Sequence, residues 1–496
     1  MGEQLNDGGG TSTSSAVAAA VEILSRTETG KASNENFVTL DVPISTGQDV
    51  NPKEWPRIKK WRAVAIGAMM TFISPITSSM VAPALPYLAT DLEFTSTIEI
   101  EMSLSIFVLA FALGPLILAP LSEVYGRRKI LMLSMAFFTI FNAACGAAQS
   151  KTQMLLFRFM AGIGGSAPVA ISGSIVSDTF ARSEMGTAMS YYVLGIILGP
   201  AIGPIIGGFL TQALSWRWLF YIISIVSGFV LVVAFFFLPE SYGPYLVLRA
   251  SLQADKLAHV HHPKPNVFNV LRDAIVRPFI LLFTQPISQI IAIFVAFFYG
   301  VMYIVLTTFS ALYTKNYSEA TQISTLHYFS LGLGFLIANR FSGGFLDVLS
   351  VYMQKRNNTP HKPEYRLILC IPGVIFLPIG IFIYGWAAEY TLHWIVTDIG
   401  VMLFTTAVGL SFQACSLYTV DVYTRYAASA LAATTSLRSL AGFGFPLFAQ
   451  DMYDSLGYGW GNSVLGFIAF VFGVPAPILL YIYGERIREK SKFAIG

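Results

Sequence analysis

The stretch Gly114–Arg128, GPLILAPLSEVYGRR, decides how the rest of the chain is read. An apolar helix carrying Phe107, Leu109, Phe111 and Leu113 runs into it and is stopped by Glu123. The chain turns at Gly126, is pinned by Arg127, Arg128 and Lys129, and starts a new apolar run at Ile130. So short and basic a hinge joins two membrane helices. Its glycine lets the chain reverse without a Cβ clash, and its arginines belong in the interface on the cytoplasmic side.

Composition points the same way. Of 496 residues, 54% are apolar and 12% charged, and the mean hydropathy is +0.62; that is too few charges to cover a soluble surface of this size. Twelve runs reach the roughly 20 residues needed to cross hydrocarbon, among them Met102–Leu121, Phe279–Leu312, Ala427–Ala449 and Val464–Tyr483. No strand-like alternation competes with them. The expected fold is an all-α membrane protein with twelve transmembrane helices in two six-helix bundles, 56–240 and 279–484. They are separated by a cytoplasmic loop, 241–278, and flanked by a disordered tail, 1–55, and a short one, 485–496.

Lysine and arginine gather before the first span and at alternate connections, which places both termini in the cytoplasm. Asn316-Tyr317-Ser318, a glycosylation sequon, then falls outside, whereas the second one, Asn357-Asn358-Thr359, falls inside. Cys145, Cys370 and Cys415 sit within apolar spans and read as buried free thiols. His259, His261 and His262 have a spacing that could bind a metal, but no cysteine or acid cluster accompanies them, so a solvated flexible loop is expected there.

Gly-Pro-Leu followed by Ser-Glu-x-x-Gly-Arg-Arg resembles the loop between helices 2 and 3 of the major facilitator superfamily, most closely in the form found in fungal drug:H⁺ antiporters. Other stretches resemble that family too: Ala82–Pro86, Leu238–Tyr242, Tyr423–Ser429 and Phe445–Phe448. The antiporters often carry an acid in the first helix; here there is none before Asp91. In span 4, Arg158 opens R-x-x-x-G-x-G-G. An arginine at mid-helix costs about 3 kcal/mol to insert, so Arg158 must face a cavity or a partner, or snorkel to the outer interface. The pattern resembles the superfamily's fourth-helix motif, which implies a part in proton coupling. In span 5, Gly195, Gly199, Gly203 and Gly207 recur every fourth residue with Pro200 and Pro204 beside them, a line of bare backbone built for close packing. The string resembles the fifth-helix motif of exporters, where it forms a bendable seam between the halves.

The halves repeat. Asp178 and Arg182 end the fourth span of one as Asp421 and Arg425 do in the other, and Asp347 takes the place of Glu123. Arg438, midway along span 11, faces the cavity or a gate, or else serves a helix end or a carboxylate. Asp398 carries a proton or lies at the watery interface. Tyr191, Tyr192, Phe298, Tyr299, Tyr303, Phe329, Phe412 and Gln413 line an adaptable pocket or pack against helices and lipid.

No phosphate-binding loop and no catalytic constellation is present, so neither ATP hydrolysis nor an enzyme is expected. An ion gradient remains: about 2.3 kcal/mol per charge per 100 mV and about 1.4 per pH unit sustain a ratio of several hundredfold. The resemblance implies a cofactor-free, monomeric proton antiporter in the plasma or vacuolar membrane, expelling small amphipathic drugs or fungal metabolites. A nutrient or polyamine carrier and a non-transporting sensor are the alternatives.

Overall fold

Every described span is helical because its residues are apolar on all sides, and in hydrocarbon only a helix satisfies its own backbone. In the computed structural model the described residues are 51–180, 182–247, 249, 267–357, 362–491 and 493–494. The 1–50 part of the expected tail and the three loop histidines lie outside them, as do the side chains of Arg182, Asp347, Asn357 and Arg425.

The first half contains α1 (Arg57–Ser79), α2 (Thr97–Tyr125), α3 (Arg127–Gly146), α4 (Lys151–Thr179), α5 (Arg182–Ala213) and α6 (Arg217–Phe237). A linker helix, Val267–Thr284, precedes α7 (Pro286–Asn316), α8 (Tyr328–Asn357), α9 (Cys370–Glu389) and α10 (Trp394–Tyr423). Span α11 begins as Ala427–Gly444 and continues into Pro446–Ile468, which is broken at Gly457, φ 72°. There the chain doubles back, since the Tyr453 hydroxyl bonds Asn462 at 3.1 Å; the returning α12 ends with Pro475–Glu489. Three cysteines are buried and free, as expected.

Packing repeats between the halves. α1 lies on α5 as α7 lies on α11, α2 on α4 as α8 on α10, and α3 on α4 as α9 on α10. The halves meet through α2 on α11 and α5 on α8. The connections α2–α3, α4–α5 and α8–α9 share one end of the bundle, called here the basic end; α1–α2, α3–α4, α7–α8 and α11–α12 share the far end.

Two expected boundaries need correction. Span 7 does not start at Phe279: Pro286 holds Gln285 extended (φ −109°, ψ 110°), so Phe279 to Thr284 belong to the linker helix. Span 2 starts before Met102, because Ser96 caps the helix by accepting from the Glu99 amide and Glu99 reaches back to the Thr95 amide. That earlier start draws Glu101 into the helix.

Candidate functional site

Arg158 is fully buried, 0% exposed. It does not snorkel; as an embedded charge requires, it is held by partners. Its guanidinium donates to the carbonyls of Thr77 (3.0 Å) and Ser78 (3.5 Å) on α1, and of Ser103 (3.1 Å) and Leu104 (3.3 Å) on α2. The Phe107 ring lies 4.7 Å from it. Thr77 and Ser78 stand where α1 ends, at Ser79, so their carbonyls have lost their helical donors. The arginine thus replaces missing backbone bonds and ties α1 to α2.

The glycine line of α5 seats on α1, inside the first half, and not on the seam between halves. A Cβ at Gly199 would come within 2.5 Å of Pro75 Cβ, one at Gly203 within 2.7 Å of the Ile76 carbonyl oxygen, and one at Gly207 within 3.0 Å of Met80 C; Gly195 is looser, 3.3 Å from Phe72 Cβ. Pro200 and Pro204 remain inside the helix. The contact across the halves comes from the neighbouring face: Gly208 faces Thr325, and Ala201 lies against Gly332 of α8.

Four expected cavity residues do come together. The Tyr299 and Tyr303 rings of α7 lie 4.9 Å apart, tilted to one another, Phe412 of α10 lies 5.9 Å from Tyr299, and the Arg438 guanidinium sits 5.2 Å from Tyr299 and 6.0 Å from Phe412. Among the described residues the buried Arg438 Nε has no hydrogen-bond partner. Gln413 is half-buried beside Phe412, and Phe298 is buried. Tyr192 is not part of this group: it is buried in the first half, donating to the Val169 carbonyl at 2.8 Å. Tyr191 is 60% exposed against Trp61, and Phe329 is 63% exposed.

At the basic end Gly126, φ 92°, turns the chain; a Cβ there would meet Glu240 at 2.5 Å. Glu240 accepts from the Arg127 and Arg128 amides at 2.9 and 3.1 Å, capping α3. Arg127 pairs with Asp178 at 2.5 Å, and Arg366 pairs with Asp421 at 3.1 Å in the second half. Arg128 donates to the Phe235 carbonyl. Glu123 is exposed, with Arg127, Asp178 and Arg277 within electrostatic reach. Asp178 and Arg127 meet at this end, and Glu240, within the Leu238–Tyr242 stretch, joins them without a signature in sequence beyond an α3 start that lacks a capping side chain of its own.

At the far end Asp398 is not an open interfacial aspartate. Its oxygens take the Tyr313 hydroxyl (2.9 Å) and His327 Nδ1 (2.8 Å), and His327 Nε2 reaches Glu319 at 3.1 Å. Burial alone would lower the His327 pKa, but the bond to Asp398 and the charges of Asp398 and Glu319 together raise it above the ordinary value. A raised folded pKa means stability that is complete below the ordinary histidine value, about 6.5, and lost as pH rises through the raised one. The protection of amides in the 317–327 connection, measured relative to their base-catalysed intrinsic exchange, is therefore expected to fall as pH climbs above that range. His327→Gln should flatten the response, and an unchanged response in that variant would refute this account.

The residue that sequence reading missed is Glu101. It is 6% exposed on α2, its Oε2 is buried without a hydrogen-bond partner among the described residues, and the Thr307 side chain of α7 lies against it. The capping pattern at Ser96 and Glu99 was the signal that would have placed it within the helix.

Ser78 Oγ and Tyr303 Oη bond across the halves at 3.1 Å near the far end, and Ser436 donates to the Ala112 carbonyl at 2.9 Å. At the basic end α4 and α5 make no extended packing with α10 or α11 among the described residues. Two repeated six-helix bundles around an aromatic and cationic group define a polytopic membrane transporter, not an enzyme. The chain belongs to the Major Facilitator Superfamily, whose family model matches residues 67–446. The efflux pump vrtL of Penicillium aethiopicum is 42% identical over 469 residues, covering 93% of this chain and 92% of its own. The MFS transporter cpaT of Aspergillus oryzae is 39% identical over 475 residues, covering 95% of each. Among solved structures, the proton:xylose symporter XylE bound to 6-bromo-6-deoxy-D-glucose has a TM-score of 0.65 at 14% identity, across 86% of this chain and 96% of its own. That likeness is one of fold.

Proposed function

We propose that this transporter is a proton-driven exporter of small amphipathic compounds, drugs or fungal metabolites, working by alternating access. The observation that carries the reading is the Tyr299–Tyr303–Phe412 group with Arg438 against it, Nε unpaired. Aromatic faces suit flat apolar rings, and the guanidinium suits a substrate with an acidic or hydrogen-bond-accepting group. The same cation repels polyamines, which makes the polyamine alternative weaker. Efflux relatives support the outward direction, and the proton remains the natural driver for a chain with no ATP-binding motif.

The basic end is placed in the cytoplasm with both termini, in the plasma membrane, and the far end outside. Asn316, exposed at the end of α7, is then a glycan acceptor; a band unmoved by glycosidase in a glycosylating host, with no change on Asn316→Gln, would count against that orientation. Function is tested in vesicles loaded with aromatic carboxylic acids, azoles or polyamines in turn. A pH gradient should drive movement of the aromatic acids and not of the polyamines; movement indifferent to the gradient refutes proton coupling.

A further inference from the structure

We propose that Glu101 is the proton-carrying carboxylate of this transport cycle: protonated, it lets α2 close on α7 at the far end, and ionised, it drives the two apart. The inference rests on the proton-coupled reading above and adds the group that it lacked.

Glu101 is nearly inaccessible, and among the described residues no lysine, arginine or histidine forms an ion pair with it. An ionised carboxylate at such a place has given up its water without gaining a countercharge, a cost of several kcal/mol. The groups facing it do not relieve that cost. Thr307 of α7 offers one hydroxyl, and Tyr328, at the start of α8, donates its own to the Leu306 carbonyl at 2.6 Å. Glu99 and Lys151 are paired to each other at 2.7 Å, the Arg158 guanidinium is taken up by carbonyls, and His327 is held by Asp398 and Glu319. On α11, Asp454 accepts from Gln450 at 2.7 Å and is exposed.

The position also has mechanical reach. Tyr303 and Thr307 are four residues apart and share one face of α7, so the contact of Glu101 with Thr307 and the Ser78–Tyr303 bond lie on the same side of that helix. Two and three residues beyond Glu101, Ser103 and Leu104 give their carbonyls to Arg158, which also holds Thr77 and Ser78. Movement of α2 at Glu101 is therefore passed to α1. The proton arrives from outer water on a carboxylate oxygen while the far end is open, and it leaves toward the cavity side when that end is closed. Only an O–H bond is made and broken. The remaining charge must regain solvent, and α2 parts from α7.

The test needs no substrate. Spin labels are placed at Ile98→Cys and Lys315→Cys, both exposed, while the three native cysteines stay buried. In the full-length protein in lipid, the distance between labels should lengthen as pH rises, reversibly. In Glu101→Gln it should stay short at every pH, and in Glu101→Asp it should still respond, which shows that the position tolerates change without loss of the fold. A Glu101→Gln protein that opens with pH as the parent does overturns the assignment, even if vesicles of the parent still obey a pH gradient. If the parent's vesicles ignore the gradient, the proton-coupled reading fails first, and this assignment with it.

Discussion

Leucine at Gly199 or Gly203 is expected to leave little folded protein in the membrane, because α5 can no longer seat on α1. The Gly199 side chain would start 2.5 Å from Pro75 Cβ and that of Gly203 2.7 Å from the Ile76 carbonyl oxygen. Overpacking usually costs about 1–3 kcal/mol when side chains can shift. Here proline and backbone atoms must move, so the cost falls at or above that range, a large share of the about 5–15 kcal/mol that holds a domain together. Gly195→Ala is the control: its Cβ meets Phe72 Cβ at 3.3 Å, which needs only a small displacement. Thermal midpoints in detergent should rank Gly195→Ala near the parent and both leucine variants far below it. Equal midpoints would show that the stripe does not set the α1–α5 distance.

Arg158→Met separates the arginine's role in motion from its role in stability. The substitution removes donors from carbonyls on two helices, each bond to a charged group being worth about 1.5–3 kcal/mol. It also removes a buried charge with no carboxylate opposite, which returns part of the desolvation cost. These terms oppose each other, so the folded protein should survive with a modestly lowered midpoint. Transport should not survive, because α1 and α2 lose their tie; the initial rate should fall at least about tenfold, or about 1.4 kcal/mol. Arg158→Lys keeps the charge but cannot fork across both helices, and it should recover only part of the rate. A methionine variant that transports at the parent's rate would remove Arg158 from the mechanism.

The fold was largely legible because its determinants are local. Apolar length gives the spans, Gly126 and its arginines give the first turn, and four glycines in step give a close helix pair. The partner of that pair was not legible. A bare stripe specifies how near another backbone comes, not which one, and the stripe chose α1 where a seam between halves had been expected. Arg158 shows the same limit. An embedded charge demands partners, but four backbone carbonyls have no signature in sequence. Tyr299, Tyr303, Phe412 and Arg438 were found together because α7, α10 and α11 each carry them on an inward face, whereas Tyr192, one residue from exposed Tyr191, turned into its own bundle. Glu101 was passed over for a boundary reason: a span begun at Met102 leaves it in water, and a span begun at its cap buries it.

The paired arginines and aspartates at the basic end each lie within one half. Arg127 closes on Asp178 and Arg366 on Asp421, and neither bond crosses from one bundle to the other. Severing the polypeptide between α6 and the linker helix would thus break none of these knots. Two separately synthesised fragments, each already tied, would need only to find one another within the bilayer.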